Sequence, residues 1–217
     1  MASDLKIIGV DESGKGDFFG PLVVAAFLAP DSCLNDLREM GVRDGKTLSD
    51  KRIIEIDERL RAIYIHAVEV VAPTQYNAEY DRIRNLNKLL AAKHALVVDR
   101  ILLEHDADRA VIDRFGKTEL VERALAVRGR DIDLDQRFRG EAVLQVAAAS
   151  ILARAAFIHA MSALSDQYGL NLPKGAAPQV DRAGREFVRL HGSEVLPAVA
   201  KLHFKNYHRV VNPSLFA

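Results

Sequence analysis

Two adjacent carboxylates, Asp11 and Glu12, interrupt an apolar run, and a glycine-rich turn, Gly14-Lys15-Gly16, follows at once. Paired acids beside a backbone rich in N–H donors suit divalent metal and phosphate. A further acid, Asp113, ends a second apolar run, Ala110-Val111-Ile112. Gathered carboxylates repel one another, and a bound cation relieves that repulsion. A donor set of oxygens alone, without Cys or His, favours Mg2+ or Mn2+ over zinc. Such sites serve two-metal phosphoryl chemistry, in which one ion activates a water and the other stabilises the leaving oxygen. For any single acid at a strand end, a solvated turn carboxylate is the competing reading. Two in succession within an apolar run are harder to explain that way. Glu141 stands where a long helix is expected to begin, and an acid there also counters the helix dipole by about 0.3–1 kcal/mol. Spacing alone leaves Glu141 between that role and metal ligation.

Lys15 and Lys46 each adjoin glycine, which suits phosphate contact as well as an ordinary surface position. His94 and His105 are expected to be partly exposed on a Leu-rich helix. From Val195 onward there is no acid, while Lys201, Lys205 and Arg209 alternate with His203, Phe204, Tyr207 and His208. That segment is either a phosphate-binding surface or a solvated end. Two phosphate motifs fail on spacing: Gly14 to Gly20 for a dinucleotide fingerprint, and Gly41 to Thr47 for a P-loop.

The elements that must position these residues follow from apolar patterning. Leu5–Val10 and Leu22–Ala29 read as strands covered on both faces, joined by a hairpin-like reversal at Gly20-Pro21. A short helix should end at Met40, and Ser49 should cap a helix through Leu60. Ile63–Ala72 alternates as a third strand, and Pro73 ends it. Helices are expected at Thr74–Ile83 and Asn87–Glu104, then a strand at Arg109–Asp113, a helix at Thr118–Val127 and a fifth strand at Arg130–Phe138. An Ala-rich helix from Glu141 to Tyr168 carries the small-residue band Ala147-Ala148-Ala149-Ser150, suited to close packing on a sheet. Val180–Leu190 and Ser193–Ala200 complete the helices. This order implies an α/β chain with a mixed sheet flanked by helices. If the first and fourth strands are parallel neighbours, Asp11 and Asp113 meet at one crevice.

Charge and composition set bounds. With 30 basic and 30 acidic residues the chain lacks the overall basicity of many nucleic-acid binders. With 49 % hydrophobic residues it can bury a substantial core. The one cysteine, Cys33, excludes an internal disulfide and a cysteine zinc site. No secretory signal is visible, and no apolar run is read as approaching the roughly 20 residues of a membrane span. A cytoplasmic protein without a membrane partner is expected.

In order along the chain, Asp11-Glu12-Ser13-Gly14-Lys15-Gly16-Asp17-Phe18-Phe19-Gly20-Pro21, Arg43-Asp44-Gly45-Lys46-Thr47-Leu48-Ser49-Asp50, Asn85-Leu86-Asn87-Lys88, Val111-Ile112-Asp113-Arg114-Phe115, Gly140-Glu141 and Lys201-Leu202-His203-Phe204-Lys205-Asn206 together resemble type 2 ribonucleases H, and among them ribonuclease HIII. The resemblance covers nearly the whole chain. It implies a ribonuclease H-like fold with a central five-stranded sheet and a helical C-terminal part, as one catalytic domain over 1–217 with a basic extension at about 193–217. It also implies hydrolysis of the RNA strand of RNA–DNA hybrids, leaving 5′-phosphate and 3′-hydroxyl ends. Asp11, Glu12, Asp113 and Glu141 would hold two divalent ions, Mg2+ or Mn2+. Gly14, Lys15, Gly16 and Lys46 would bind substrate, the turn contacting the ribose 2′-hydroxyl that distinguishes RNA from DNA. A monomer is the expected state. Glutamate at the fourth acid looks like type HIII, where type HII carries aspartate.

Three departures stand out. Gly45 replaces the serine common in the family. Ala176 follows Lys174-Gly175 where type HII enzymes that cut at a lone ribonucleotide carry tyrosine. The usual N-terminal substrate-binding domain is not expected in this chain. The alternatives are a type HII-like repair nuclease acting at single embedded ribonucleotides, and a hybrid-binding module without catalysis.

Overall fold

The computed structural model describes residues 4–212, the side chain of Glu141 excepted. Five strands, β1 (Lys6–Ser13), β2 (Leu22–Pro30), β3 (Ile65–Val71), β4 (Arg109–Asp113) and β5 (Asp133–Arg137), form one sheet in the order β3-β2-β1-β4-β5. β1 runs parallel to β4, with Val10 opposite Ile112, and β4 runs parallel to β5. At the end of β2 the Asp31 N–H donates to the Leu5 carbonyl at 3.0 Å, so β2 returns alongside β1 as the reversal at Gly20-Pro21 requires. The continuous apolar run Leu22–Ala29 is buried throughout, as a central strand covered on both faces should be. β5 alternates Asp133, Asp135 and Arg137 with half-buried residues. Charges of that kind blunt a sheet edge.

The helices are α1 (Leu34–Met40), α2 (Asp50–Ile63), α3 (Pro73–Ile83), α4 (Leu86–Leu102), α5 (Thr118–Val127), α6 (Leu144–Tyr168), α7 (Pro178–His191) and α8 (Lys205–Val211). Side-chain caps start two of them: Ser49 accepts from the Arg52 N–H and Asn85 from the Lys88 N–H. Pro73, expected to end the third strand, also opens α3 in the first turn, where its missing N–H costs nothing.

Strand ends shift by up to three residues, β1 continuing through Ser13 and β5 starting only at Asp133, and the helices differ in three places. The long helix begins at Leu144, not Glu141; Gly140–Ala142 forms a separate 3-10 turn, and Val143 is extended. Glu141 is therefore not in the first turn of α6. At Ser193–Ala200 only Leu196–Ala198 is helical, as a 3-10 turn around Pro197. The last described helix is α8, within the basic segment, where seven residues are too few for periodicity to show. Contrary to the sequence reading, α6 is by length and composition apolar enough to cross a membrane, yet 56 % of its apolar window is buried inside the molecule. Gln145, Ser150, Arg154 and His159 interrupt the apolar residues, so no continuous run stands out.

The chain divides into two compact units. The first comprises residues 4–13, 24–69 and 85–155; the second comprises 14–23, 70–84 and 156–212.

Candidate active site

The acid cluster lies in the first unit and depends on a close approach between β1 and α6. A Cβ on Gly9 would fall 2.1 Å from the carbonyl carbon of Gln145. Only glycine lets the first turn of α6 sit directly on the strand. Ala147, Ala148 and Ala149, further along the helix, are fully buried. Ser150, next along the helix, hydrogen-bonds the Asp11 carboxyl. Asp11 also accepts the Glu12 N–H at 2.8 Å. These bonds favour the ionised form but do not win. Loss of water, then the charge of Glu12 and a smaller push from Asp113, raises the Asp11 pKa from 3.8 to about 7.

Asp113 follows the Val10–Ile112 pair by one residue, so parallel pairing places it beside Asp11. Its Oδ1 accepts the Gly140 N–H at 2.9 Å. A Cβ at residue 140 would lie 2.9 Å from the Asp113 Cα, so glycine is required for this approach too. The backbone of Glu141 follows directly in its 3-10 turn; its side chain lies outside the described residues.

Successive strand residues point to opposite faces, and Glu12 meets a different helix from Asp11. Its Oε2 lies 3.1 Å from Nε2 of His94 on α4. His94 is fully buried, with its ring packed on Phe115 at a centroid distance of 4.6 Å. The expectation of a partly exposed His94 is thus corrected. Its spacing held the signal: Leu90, His94, Val97, Val98 and Ile101 share one buried face at helical intervals. An ionised carboxylate only accepts, so with Glu12 ionised Nε2 is the donor of this pair. His105 lies beyond the end of α4 and is half-buried.

Among the described residues no three His, Cys, Asp or Glu side chains form a ready cation cage. The donor set nevertheless fits a hard divalent ion. It is all oxygen, and its surroundings hold Asp11 against ionisation in the way that a nearby positive charge would reverse.

The glycine turn belongs to the second unit. Gly14 has φ +84°, and a Cβ there would fall 2.2 Å from the Pro21 carbonyl oxygen and 2.9 Å from the Phe157 ring. Gly16 is different. A Cβ there meets nothing within 4 Å, so no demand of the chain explains the missing side chain. Lys15 beside it is exposed.

Lys46, also exposed, sits in the 3-10 turn Gly45–Thr47 of the first unit, where the Asp44 carboxylate accepts its N–H at 2.9 Å. Arg154 donates to the Gly45 carbonyl and pairs with Asp50 at 2.9 Å. A Cβ on Gly45 would be 3.6 Å from both Ile53 Cδ1 and Ser150 Oγ, which is ordinary contact. The basic tail does not form one surface. Lys205 is exposed, Arg209 faces Asp181 at 3.3 Å, and Lys201 is completely buried. Lys201 is therefore neither part of a phosphate-binding surface nor solvated, the two readings open to it from the sequence.

A family model described as Ribonuclease HII matches residues 8–207. The chain belongs to the ribonuclease HII family. Among relatives of this family, ribonuclease HIII of Protochlamydia amoebophila is 39 % identical over 204 residues, covering 94 % of this chain and 68 % of that protein. Ribonuclease HIII of Chlamydia muridarum is 42 % identical over 207 residues, with 94 % and 69 % covered. In three dimensions, Bst-RNase HIII in complex with Mn2+ superposes with a TM-score of 0.87 at 34 % identity, over 99 % of this chain and 72 % of that one. The ribonuclease H2 of Pyrococcus horikoshii OT3 shares the fold, with a TM-score of 0.82 at 22 % identity over 95 % and 97 % of the two chains. The chain is a ribonuclease H enzyme with a ribonuclease H-like fold, and its similarity runs to type HIII.

Proposed function

We propose that this enzyme hydrolyses the RNA strand of RNA–DNA hybrids, with Asp11, Glu12, Asp113 and Glu141 holding two divalent ions. The observation that carries the reading is the pairing of β1 with β4, which brings Asp11 beside Asp113, at a place where burial and then the charge of Glu12 raise the Asp11 pKa to about 7. The Mn2+ bound to the similar Bst-RNase HIII supports Mn2+ or Mg2+ as the ions. Bound there, they would supply a nucleophilic water and stabilise the leaving oxygen, giving 5′-phosphate and 3′-hydroxyl ends.

The chain's own residues do the rest. Ser150 and the Glu12 N–H orient the Asp11 carboxylate, the Gly140 N–H orients Asp113, and His94 orients Glu12. Lys15 and Lys46 take backbone phosphates, and the peptides of Gly14-Lys15-Gly16 take the ribose 2′-hydroxyl. The single thiol of Cys33 suits a reducing cytoplasm.

The test is cleavage of four substrates under Mg2+ and under Mn2+: a hybrid, duplex RNA, duplex DNA, and DNA with one ribonucleotide. Hybrid cleavage by the wild type, abolished in Asp11→Asn with the fold retained, is the expected result. Wild-type rates in Asp11→Asn would overturn it. Preferential cutting at the lone ribonucleotide would favour the type HII-like reading, against which Ala176 after Lys174-Gly175 speaks.

A further inference from the structure

Lys201 is fully buried, and its ammonium group makes no direct ion pair among the described contacts. Instead Nζ donates to three main-chain carbonyls of one short segment: Asp17 at 2.8 Å, Gly20 at 2.7 Å and, more weakly, Phe19 at 3.4 Å. Three donors on a tetrahedral nitrogen match three converging acceptors. The Tyr76 ring lies 5.7 Å from the same nitrogen. The segment is fastened from its other sides as well. Phe18 N–H donates to the Gly175 carbonyl at 2.9 Å, and Gly175 N–H returns to the Asp17 carboxylate at 2.6 Å. Gly20 N–H donates to Val199 at 2.8 Å, and Lys201 N–H donates to Phe18 at 2.8 Å. Phe19 and Ala200 form an isolated antiparallel bridge.

Residues 17–20 are the base of the glycine turn, and every anchor falls on that base. Gly16, at the other end, projects into open space. Burying an ammonium is a costly way to fill a core slot, since water must be stripped from it. Methionine would fill the same volume without that cost. What methionine lacks is the ability to gather three carbonyls at fixed positions.

We propose that Lys201 is a positioning residue for RNA recognition: its ammonium fixes residues 17–20, so that the glycine turn, with Lys15 and Gly16 exposed, meets the ribose already ordered. Preordering of this kind removes the entropy loss that a mobile loop would incur on binding. The proposal rests on the reading that this turn contacts the 2′-hydroxyl. It assigns to the buried end of the basic segment a part in specificity that direct phosphate contact cannot give.

The test compares binding of an RNA–DNA hybrid and a DNA duplex of the same sequence, in an Asp11→Asn background so that nothing is cleaved. Lys201→Met is the informative variant, measured well below its melting temperature. Its preference for hybrid over DNA should fall by about tenfold or more, with DNA affinity unchanged. A merely structural role would lower both affinities together or neither, and an unchanged ratio overturns the proposal. If the parent itself shows no preference for hybrid, the reading of the turn has failed instead. A second measurement needs no variant. Amide hydrogen exchange at residues 17–20 in the free enzyme should be slow, and hybrid should change it little. Fast exchange that slows only on binding overturns preordering, even if Lys201→Met does not fold.

Discussion

Two glycines of one turn make opposite predictions because they answer to different neighbours. At Gly14 the positive φ and the Pro21 carbonyl leave no room for a methyl group. Gly14→Ala should cost well over about 1 kcal/mol, lowering the melting temperature by at least about 2–4 °C in a chain of this size. Gly16→Ala has nothing to strike. It should leave the melting temperature within about 1–2 °C of wild type while weakening hybrid binding, because the methyl group would stand between the turn and the ribose. A large thermal loss in Gly16→Ala would refute that division. Gly45 gives the reverse case. A Cβ at this position makes only ordinary contact with Ile53 and Ser150. Gly45→Ser should therefore fold with unchanged or slightly raised stability, by up to about 1 kcal/mol through the unfolded chain's lost freedom. A marked loss on thermal denaturation would show that the slot is tighter than it looks.

Helix α4 is where a residue missed in the sequence matters most. Removing the His94 imidazole as His94→Leu leaves the Glu12 carboxylate without its donor at 3.1 Å. Loss of a hydrogen bond to a charged group costs about 1.5–3 kcal/mol. The variant should melt lower and, assayed where it is folded, need more Mn2+ for half-maximal thermal stabilisation. Unchanged metal dependence would confine His94 to packing. The elements themselves were largely legible. Apolar runs ending in acids marked β1 and β4, and the alanines of the small-residue band marked a fully buried stretch of α6. The acids at the ends of those strands were legible for the same reason: a carboxylate set against an apolar run costs too much to serve packing alone. What escaped was set by contacts distant in sequence. Whether His94 turns inward depends on Phe115 and Glu12, and whether Lys201 is surface or core depends on carbonyls near residue 20. A cation among aromatic residues reads as a binding surface until the fold shows what it faces. The start of α6 was missed because Val143 adopts an extended conformation that no single-residue propensity dictates.

For the whole molecule, the two most perturbed site groups act on stability in adjoining pH windows. The folded state holds the proton on Asp11 up to about 7, against 3.8 ordinarily. Between those values the native protein binds more protons than the unfolded chain, so this group makes stability fall as pH rises. Burial lowers the Lys201 pKa from 10.5 to about 7, with Asp17 partly offsetting the shift. Between about 7 and 10.5 the unfolded chain is the more protonated, and stability should rise with pH from this group. Denaturation free energies measured with chelator across pH 4–10 should show Asp11→Asn flattening the lower limb and Lys201→Met flattening the upper one. Limbs that keep their slopes in those variants would assign the pH dependence to other groups.

The pairing of β1 with β4 has a consequence in time as well as in space. β1 occupies the middle of the sheet, yet its parallel neighbour is not made until residues 14–108 have followed it. At ribosomal rates that interval is about 5–20 s. Throughout it one edge of the apolar β1 has no strand to pair with. The nascent chain should accordingly depend on holding factors more than a protein whose central strands are consecutive. Nuclease activity should appear only with the completed sheet, so an incomplete chain emerging near nucleic acid would not yet be able to cut it.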